Sequence, residues 1–150
     1  MVDLPTALRD NYLFNGLAES HIDEILEMAT KQTFMGGDQI VRQFDRDTDL
    51  IIVLRGSAQI KTFSGDTIAE VGPGTVLGEI SLIDDEPRSA TVTSVGETEV
   101  AVINSDRLRD MMKHDMGMRC VMIENLSKVI CQRLRTANVQ LDGMMSPAIR

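Results

Sequence analysis

Apolar and polar residues recur along this chain with two different periods, and the period changes twice. Leu4, Leu8, Leu13 and Leu17 are loosely helical in spacing, and after Ser20 the positions Ile22, Ile25, Leu26 and Ala29 share one face of a 3.6-residue repeat. Ser20 followed by Asp23 and Glu24 predicts a helix start there, since a hydroxyl accepts from the first free amides and acids favour the positive end of the dipole. The predicted N-terminal helices cover about residues 4–33, and Gly36-Gly37 closes that region. From about 38 to 104 the apolar residues fall into short or alternating runs: Gln39–Gln43, Leu50–Leu54, Ala58–Phe63, Thr67–Val71, Ala90–Val95 and Glu99–Ile103. Turn residues separate them at Asp45–Asp49, Arg55-Gly56, Ser64-Gly65-Asp66, Gly72-Pro73-Gly74 and Gly96-Glu97. No helical crossover fits between such runs, so they predict an antiparallel sandwich or jelly roll rather than a parallel sheet.

After Ser105 the helical period returns. Leu108, Met111 and Met112 form a short amphipathic piece, and Met118, Met122, Leu126, Ile130 and Leu134 then repeat every four residues along one long helix. The predicted C-terminal helices cover about 105–140, and Ser146–Arg150 reads as a frayed tail. The fold class is therefore mainly β with flanking helices: a jelly-roll β-barrel, or β-roll, between N-terminal helices and a long C-terminal helix. With 150 residues, 43% of them apolar, the chain is read as one domain, 1–150, able to build a core without disulfide or metal.

Charge narrows the function. The formal net charge is −8, with −12 on residues 1–106 and +4 on 107–150. An acidic chain has little grip on a nucleic acid backbone, so direct DNA binding is not expected; the short stretch after the long helix leaves no room for a helix-turn-helix module. Cys120 and Cys131 lie eleven residues apart on that helix, a rise of about 16 Å, which excludes a bridge within the chain. Free thiols of this kind are expected to be buried and inert. Together with the absence of a long apolar run or a charged leader they indicate a cytoplasmic protein with no membrane association. His21 and His114 are expected to face solvent, and neither belongs to a paired-ligand motif, so no metal or other cofactor is expected. No nucleophile elbow or Ser-His-Asp order is present, which argues against an enzyme. The methionines Met111, Met112, Met116, Met118 and Met122 read as core filler.

The informative stretch lies between Gly72 and Val92. From Thr62 to Asp106 the chain carries nine carboxylates and one cation, Arg88. A single arginine at the start of a strand, followed by Ser89 and Ala90, suits one compact anion. Gly78 lets backbone approach a ligand, and Glu79–Ile83 is long enough for one helical turn whose free amides point toward negative charge. The phosphate pocket so composed uses that turn, the Arg88 guanidinium, the Ser89 hydroxyl and the Ala90 amide. Glu79 must then be turned toward Arg88 and toward hydroxyl donors such as those of a sugar. On spacing alone a second account stands beside it: a plain turn with a Glu79–Arg88 surface ion pair worth about 0–1 kcal/mol.

Gly78-Glu79-Ile80-Ser81-Leu82 and Pro87-Arg88-Ser89-Ala90-Thr91-Val92 resemble the phosphate-binding cassette of cyclic-nucleotide-binding domains, the family of the catabolite activator protein, kinase regulatory subunits and nucleotide-gated channel ends. The resemblance extends to Leu13-Phe14-Asn15-Gly16-Leu17, similar to the family's helical entry, and to Asp45 through Leu54-Arg55-Gly56, similar to its second and third strands. It implies that Glu79 binds the ribose 2′-hydroxyl and that Arg88 binds the cyclic phosphate, helped by Ser89 and by amides near Gly78, Ile80 and Ala90. Two positions depart from the pattern: Phe44 replaces a usual glycine, and Leu77 a common phenylalanine, with a hinge contact expected to persist at Leu77 in weaker form.

Arg133, Arg135, Thr136 and Asn138 fall where family members lower a lid helix over the purine, and Thr136 and Asn138 are the better base readers because each both donates and accepts. For any one of the four, a solvated helix face is the competing account. The resulting expectation is a noncatalytic sensor for cyclic AMP, with cyclic GMP as the lesser candidate. Its C-terminal helix moves to regulate an effector protein or a domain outside this chain. The Met118–Leu134 stripe is wide enough to serve the roll and also a second copy, as in a homodimer. Two alternatives remain: a regulatory fragment of a channel, kinase or transcription factor, and a dimerisation scaffold that binds no ligand.

Overall fold

The computed structural model describes residues 1–44, 49–84 and 86–145. The turn expected at Asp45–Asp49 therefore falls mostly, and the tail from Ser146 wholly, outside the described residues. Helix α1 (Leu4–Asp10) begins where the Asp3 carboxylate accepts from the Thr6 amide at 2.9 Å. A 3-10 turn at Tyr12–Phe14 follows, then α2 (Glu19–Met28). Ala18, not Ser20, is its N-cap, and no side chain caps that end; Ser20 lies inside the first turn. The predicted helical region is also too long: Thr30–Phe34 forms strand β1, which pairs antiparallel with β8 (Thr98–Ile103).

The remaining strands are β2 (Gln39–Val41), β3 (Leu50–Arg55), β4 (Ala58–Lys61), β5 (Thr67–Val71), β6 (Val76–Leu77) and β7 (Thr91–Ser94). They form two four-stranded antiparallel sheets, ordered β1-β8-β3-β6 and β2-β7-β4-β5, a roll rather than a closed barrel. The apolar run of β3 serves both faces of its sheet, as side chains of a strand alternate. Leu50, Ile52 and Leu54 meet the helices, together with Leu8, Phe14, Ile25 and Leu108. Ile51 and Val53 point into the space between the sheets, with Val41, Ala58, Leu77, Val92 and Val100. Tight turns need glycine where backbones meet: a Cβ on Gly56, at φ +85°, would lie 2.4 Å from the Glu97 carbonyl oxygen.

Helices α3 (Ser105–His114) and α4 (Met116–Met145) complete the chain. Asn104 caps α3 through the Arg107 amide at 3.1 Å, and the Asp115 carboxylate accepts from the Met118 amide at 3.0 Å as α4 begins. Only the first part of the apolar stripe is covered. Met118, Met122 and Leu126 are buried against the helical side of the core, whereas Ile130 and Leu134 are 38% and 60% exposed. Asn125 fastens α4 to the N-terminal segment, its amide donating to the carbonyls of Leu13 and Asn15. Two surface expectations are corrected. Cys120 and Cys131 are exposed rather than buried. His21 is half-buried, with Nε2 2.8 Å from Asp115 Oδ2, so α2 is joined to the α3–α4 junction; His114 is exposed.

Candidate functional site

The Gly78–Arg88 loop is built around one close approach. Gly78 adopts φ +81°, and a Cβ there would fall 2.1 Å from Arg88 Nη1, so glycine is required for its conformation and for its space. Behind it Glu79–Leu82 forms a short 3-10 helix in which the Ser81 amide returns to the Gly78 carbonyl. Arg88 is 6% exposed. Its Nη2 donates to the Asp49 carbonyl at 2.6 Å, while Nε and Nη1 are buried without a hydrogen-bond partner. A buried guanidinium with two unsatisfied donors is costly unless an anion meets it.

Glu79 is buried as well, 4% exposed, and does not turn toward Arg88. Its Oε1 accepts from Arg133 Nη2 at 2.5 Å, across fifty-four residues of sequence, from α4. The carboxylate expected to lean on Arg88 is held instead by the long helix, and the surface ion-pair account fails because both groups are buried and Glu79 is paired with Arg133. Tyr12, from the N-terminal 3-10 turn, sits beside this pair. Its hydroxyl is buried without a hydrogen bond, and burial first, then the Glu79 charge, push its pKa well up, so it stays protonated.

The other expected residues are placed as follows. Ile80 is 41% exposed on the outer side of the short helix. Ser89 is exposed and Ala90 half-buried at the entry to β7, and the Ser89 carbonyl accepts from Gln43 Nε2 at 3.1 Å. Of the four lid candidates, Arg133 reaches the cassette. Arg135 and Asn138 are exposed, and the Thr136 hydroxyl donates to the Gln132 carbonyl of its own helix. Leu77 packs between the sheets, away from the helices, whereas Leu82 shares the helical core with Leu108 and Met112.

Phe44 is the single non-glycine residue with positive φ, 68°, among the described residues. Its amide donates to the Arg88 carbonyl at 2.8 Å, and its ring meets Phe63 edge-on with centroids 6.0 Å apart. The departure noted in the sequence thus falls at a position where glycine is the relaxed choice. Three residues that spacing did not single out touch the cassette: Tyr12 beside Glu79, Asp49 through its carbonyl on Arg88, and Arg109, which donates to the carbonyls of Ser81 and Leu82. Tyr12 is set apart in sequence only as the sole tyrosine.

A cleft between α2 and α3, lined by Glu24, Glu27, Met28, Asp110 and His114 among others, shares no residue with the cassette. Among the described residues no group of three or more His, Cys, Asp or Glu side chains is placed to hold a metal ion. No helix among them is long and apolar enough to cross a membrane.

Comparison with known proteins agrees with this geometry. The family described as "Cyclic nucleotide-binding domain" matches residues 31–115. The cyclic AMP receptor protein of Thermus thermophilus is 31% identical over 140 residues, covering 90% of this chain and 62% of its own length, so this chain spans less than two thirds of that relative. The solved catabolite activator protein from the same organism superposes with a TM-score of 0.74 at 29% identity, over 90% of this chain and 63% of that one. The regulatory domain of Toxoplasma gondii PKA, solved with cAMP, superposes with a TM-score of 0.66 at 28% identity, over 69% of this chain and 41% of that one. With its cassette, its two-sheet roll and its flanking helices, the chain belongs to the cyclic nucleotide-binding domain family.

Proposed function

We propose that this chain is a noncatalytic cyclic-nucleotide sensor, a single domain over 1–150, and that cyclic AMP, rather than cyclic GMP, is its ligand. The observation that carries the reading is the Arg88 guanidinium, buried with Nε and Nη1 unsatisfied beside the glycine that makes room for it. A cyclic phosphate supplies anionic oxygens to those donors, with the Ser89 hydroxyl and the amides near Gly78, Ile80 and Ala90 as further contacts. Glu79 accepts from the ribose 2′-hydroxyl, a role that requires it to share or exchange its bond with Arg133. The choice of cyclic AMP draws on the relatives, one named as a cyclic AMP receptor and one solved with cAMP.

Arg133, Arg135, Thr136 and Asn138 supply the purine lid, and a shift of α4 between a form latched on Glu79 and a form closed over the ligand is the output. That output goes to an effector protein or to a domain outside this chain, with no direct DNA contact and no membrane; the site of action is the cytoplasm. Ile130 and Leu134 continue the buried row of α4 into solvent, which supports a homodimer through that helix. One observation favours a second reading, a regulatory fragment of a larger protein: the chain spans 62% of the Thermus relative.

Calorimetric titration with cyclic AMP and cyclic GMP, followed by size measurement with and without ligand, tests the proposal. Micromolar binding of cyclic AMP is expected. Absence of heat with either nucleotide at millimolar concentration overturns it and leaves a dimerisation scaffold.

A further inference from the structure

The short helix that carries Glu79 is held at its far end by a side chain from outside the cassette. The amides of Ile83 and Asp84 both return to the Ile80 carbonyl, which leaves the carbonyls of Ser81 and Leu82 beyond the helix's own ladder. Arg109 of α3 takes both: Nε donates to the Leu82 carbonyl at 3.2 Å, and Nη2 donates to the Ser81 carbonyl. Its Nη1 donates to Asp106 Oδ1 at 2.7 Å, one turn back on α3, so all three guanidinium nitrogens are engaged. A fork fixed in this way has a defined plane and resists sliding along two successive carbonyls. Beneath it the Leu82 side chain packs with Leu108 and Met112 of α3, a contact that is non-directional and tolerates slip.

We infer that Arg109 is the positioning residue that ties the cassette to α3, so that displacement of the Glu79–Leu82 helix is carried into α3 and α4. The inference takes from the nucleotide reading what moves the cassette; the contact itself is independent of it. The proposed ligand groups lie at the Gly78–Glu79 end of this helix and Arg109 grips the other. A 3-10 helix of four residues spans only about 8 Å, so the two ends move together. From Arg109 the path continues along α3 to Asp115, whose carboxylate starts α4 through the Met118 amide.

Amide hydrogen exchange on the full chain tests this, comparing the wild type with R109Q and with R109K, which keeps a charge but loses the fork. Saturating cyclic AMP is expected to change exchange in α3 and the first turns of α4 by about tenfold in the wild type, by under about threefold in R109Q and by an intermediate factor in R109K. R109Q should still bind nucleotide, and exchange in β8 should match the wild type. A full-sized response in R109Q overturns the inference. A second arm needs no ligand: G78A, which displaces Arg88 at the other end of the cassette, should alter α3 exchange in the wild-type background and leave it unaltered with R109Q. If no nucleotide binds, the sensor reading falls and this arm alone decides: equal G78A effects in both backgrounds overturn the role of Arg109.

Discussion

Replacing Arg88 by leucine should move stability and binding in opposite directions. In the ligand-free protein Nε and Nη1 of Arg88 are buried donors without acceptors, and each such group costs about 1–3 kcal/mol. The one hydrogen bond in return, from Nη2 to the Asp49 carbonyl, is worth about 1.5–3 kcal/mol. Leucine removes both unsatisfied donors and the charge, and keeps apolar volume in the site, while losing that one bond. The balance favours R88L by about 1–2 kcal/mol in the absence of ligand, in line with other buried charges replaced by apolar groups. For a chain of this length that is a rise in Tm of about 2–8 °C. Binding of cyclic AMP should fall by about 2–5 kcal/mol, the usual loss when one member of a desolvated charge pair is removed, or about thirtyfold to several thousandfold in Kd. Thermal melts without ligand and calorimetric titration supply the two numbers. A lowered Tm combined with unchanged affinity would show that Arg88 is a structural arginine, and the anion-site argument would fail.

Three further substitutions probe separate links. E79Q should weaken cyclic AMP more than its 2′-deoxy analogue in parallel titrations, and equal losses for the two ligands would reject the ribose contact. Phe44 lies at φ 68° and is 64% exposed, so F44G exchanges a left-handed penalty of about 1–2 kcal/mol for a small edge contact and about 0.5–1 kcal/mol of backbone freedom. Its urea midpoint should therefore shift by less than about 1 kcal/mol equivalent, and a loss near the 3–5 kcal/mol of a packed phenylalanine would contradict the exposed placement. The Asp115 carboxyl is held below its ordinary pKa, first by the Met118 amide and then by the His21 ring. A lowered folded pKa means that its stabilisation is fully present above the ordinary carboxylate range and is lost as pH falls through the folded value. The Tm gap between wild type and D115N should therefore close on acidification below about pH 4; a gap constant from neutral pH to about pH 2 would refute the linkage.

Much of the fold was legible because local pattern and tertiary demand coincide. Leu50–Leu54 is a continuous apolar run because its sheet is covered on both faces, by helices and by the second sheet. On spacing alone Gly78, Glu79 and Arg88 leave a plain turn with an ion pair open beside the anion pocket, and it is the resemblance to the family's phosphate-binding cassette that points to the second. Strand β1 was missed because Thr30–Phe34 lies at a sheet edge and is exposed along most of its length, so selection for alternation is weak. β6 has two residues, too few to show a period.

What the amino-acid order determined by itself was the alternation of periods, hence a β-roll between helices, and the short-range cassette with its unusual single cation. Which side chains meet across the molecule was decided only by folding. The equal four-residue spacing of Met118, Met122, Leu126, Ile130 and Leu134 does not reveal that the covering core stops after Leu126, because coverage depends on where the N-terminal helices end in space. Glu79 finds Arg133 rather than Arg88, and Arg109 finds the end of the cassette helix, because packing α3 and α4 against the roll sets those distances. Periodicity encodes which face of an element is apolar; contact between elements far apart in sequence is a property of the packed core.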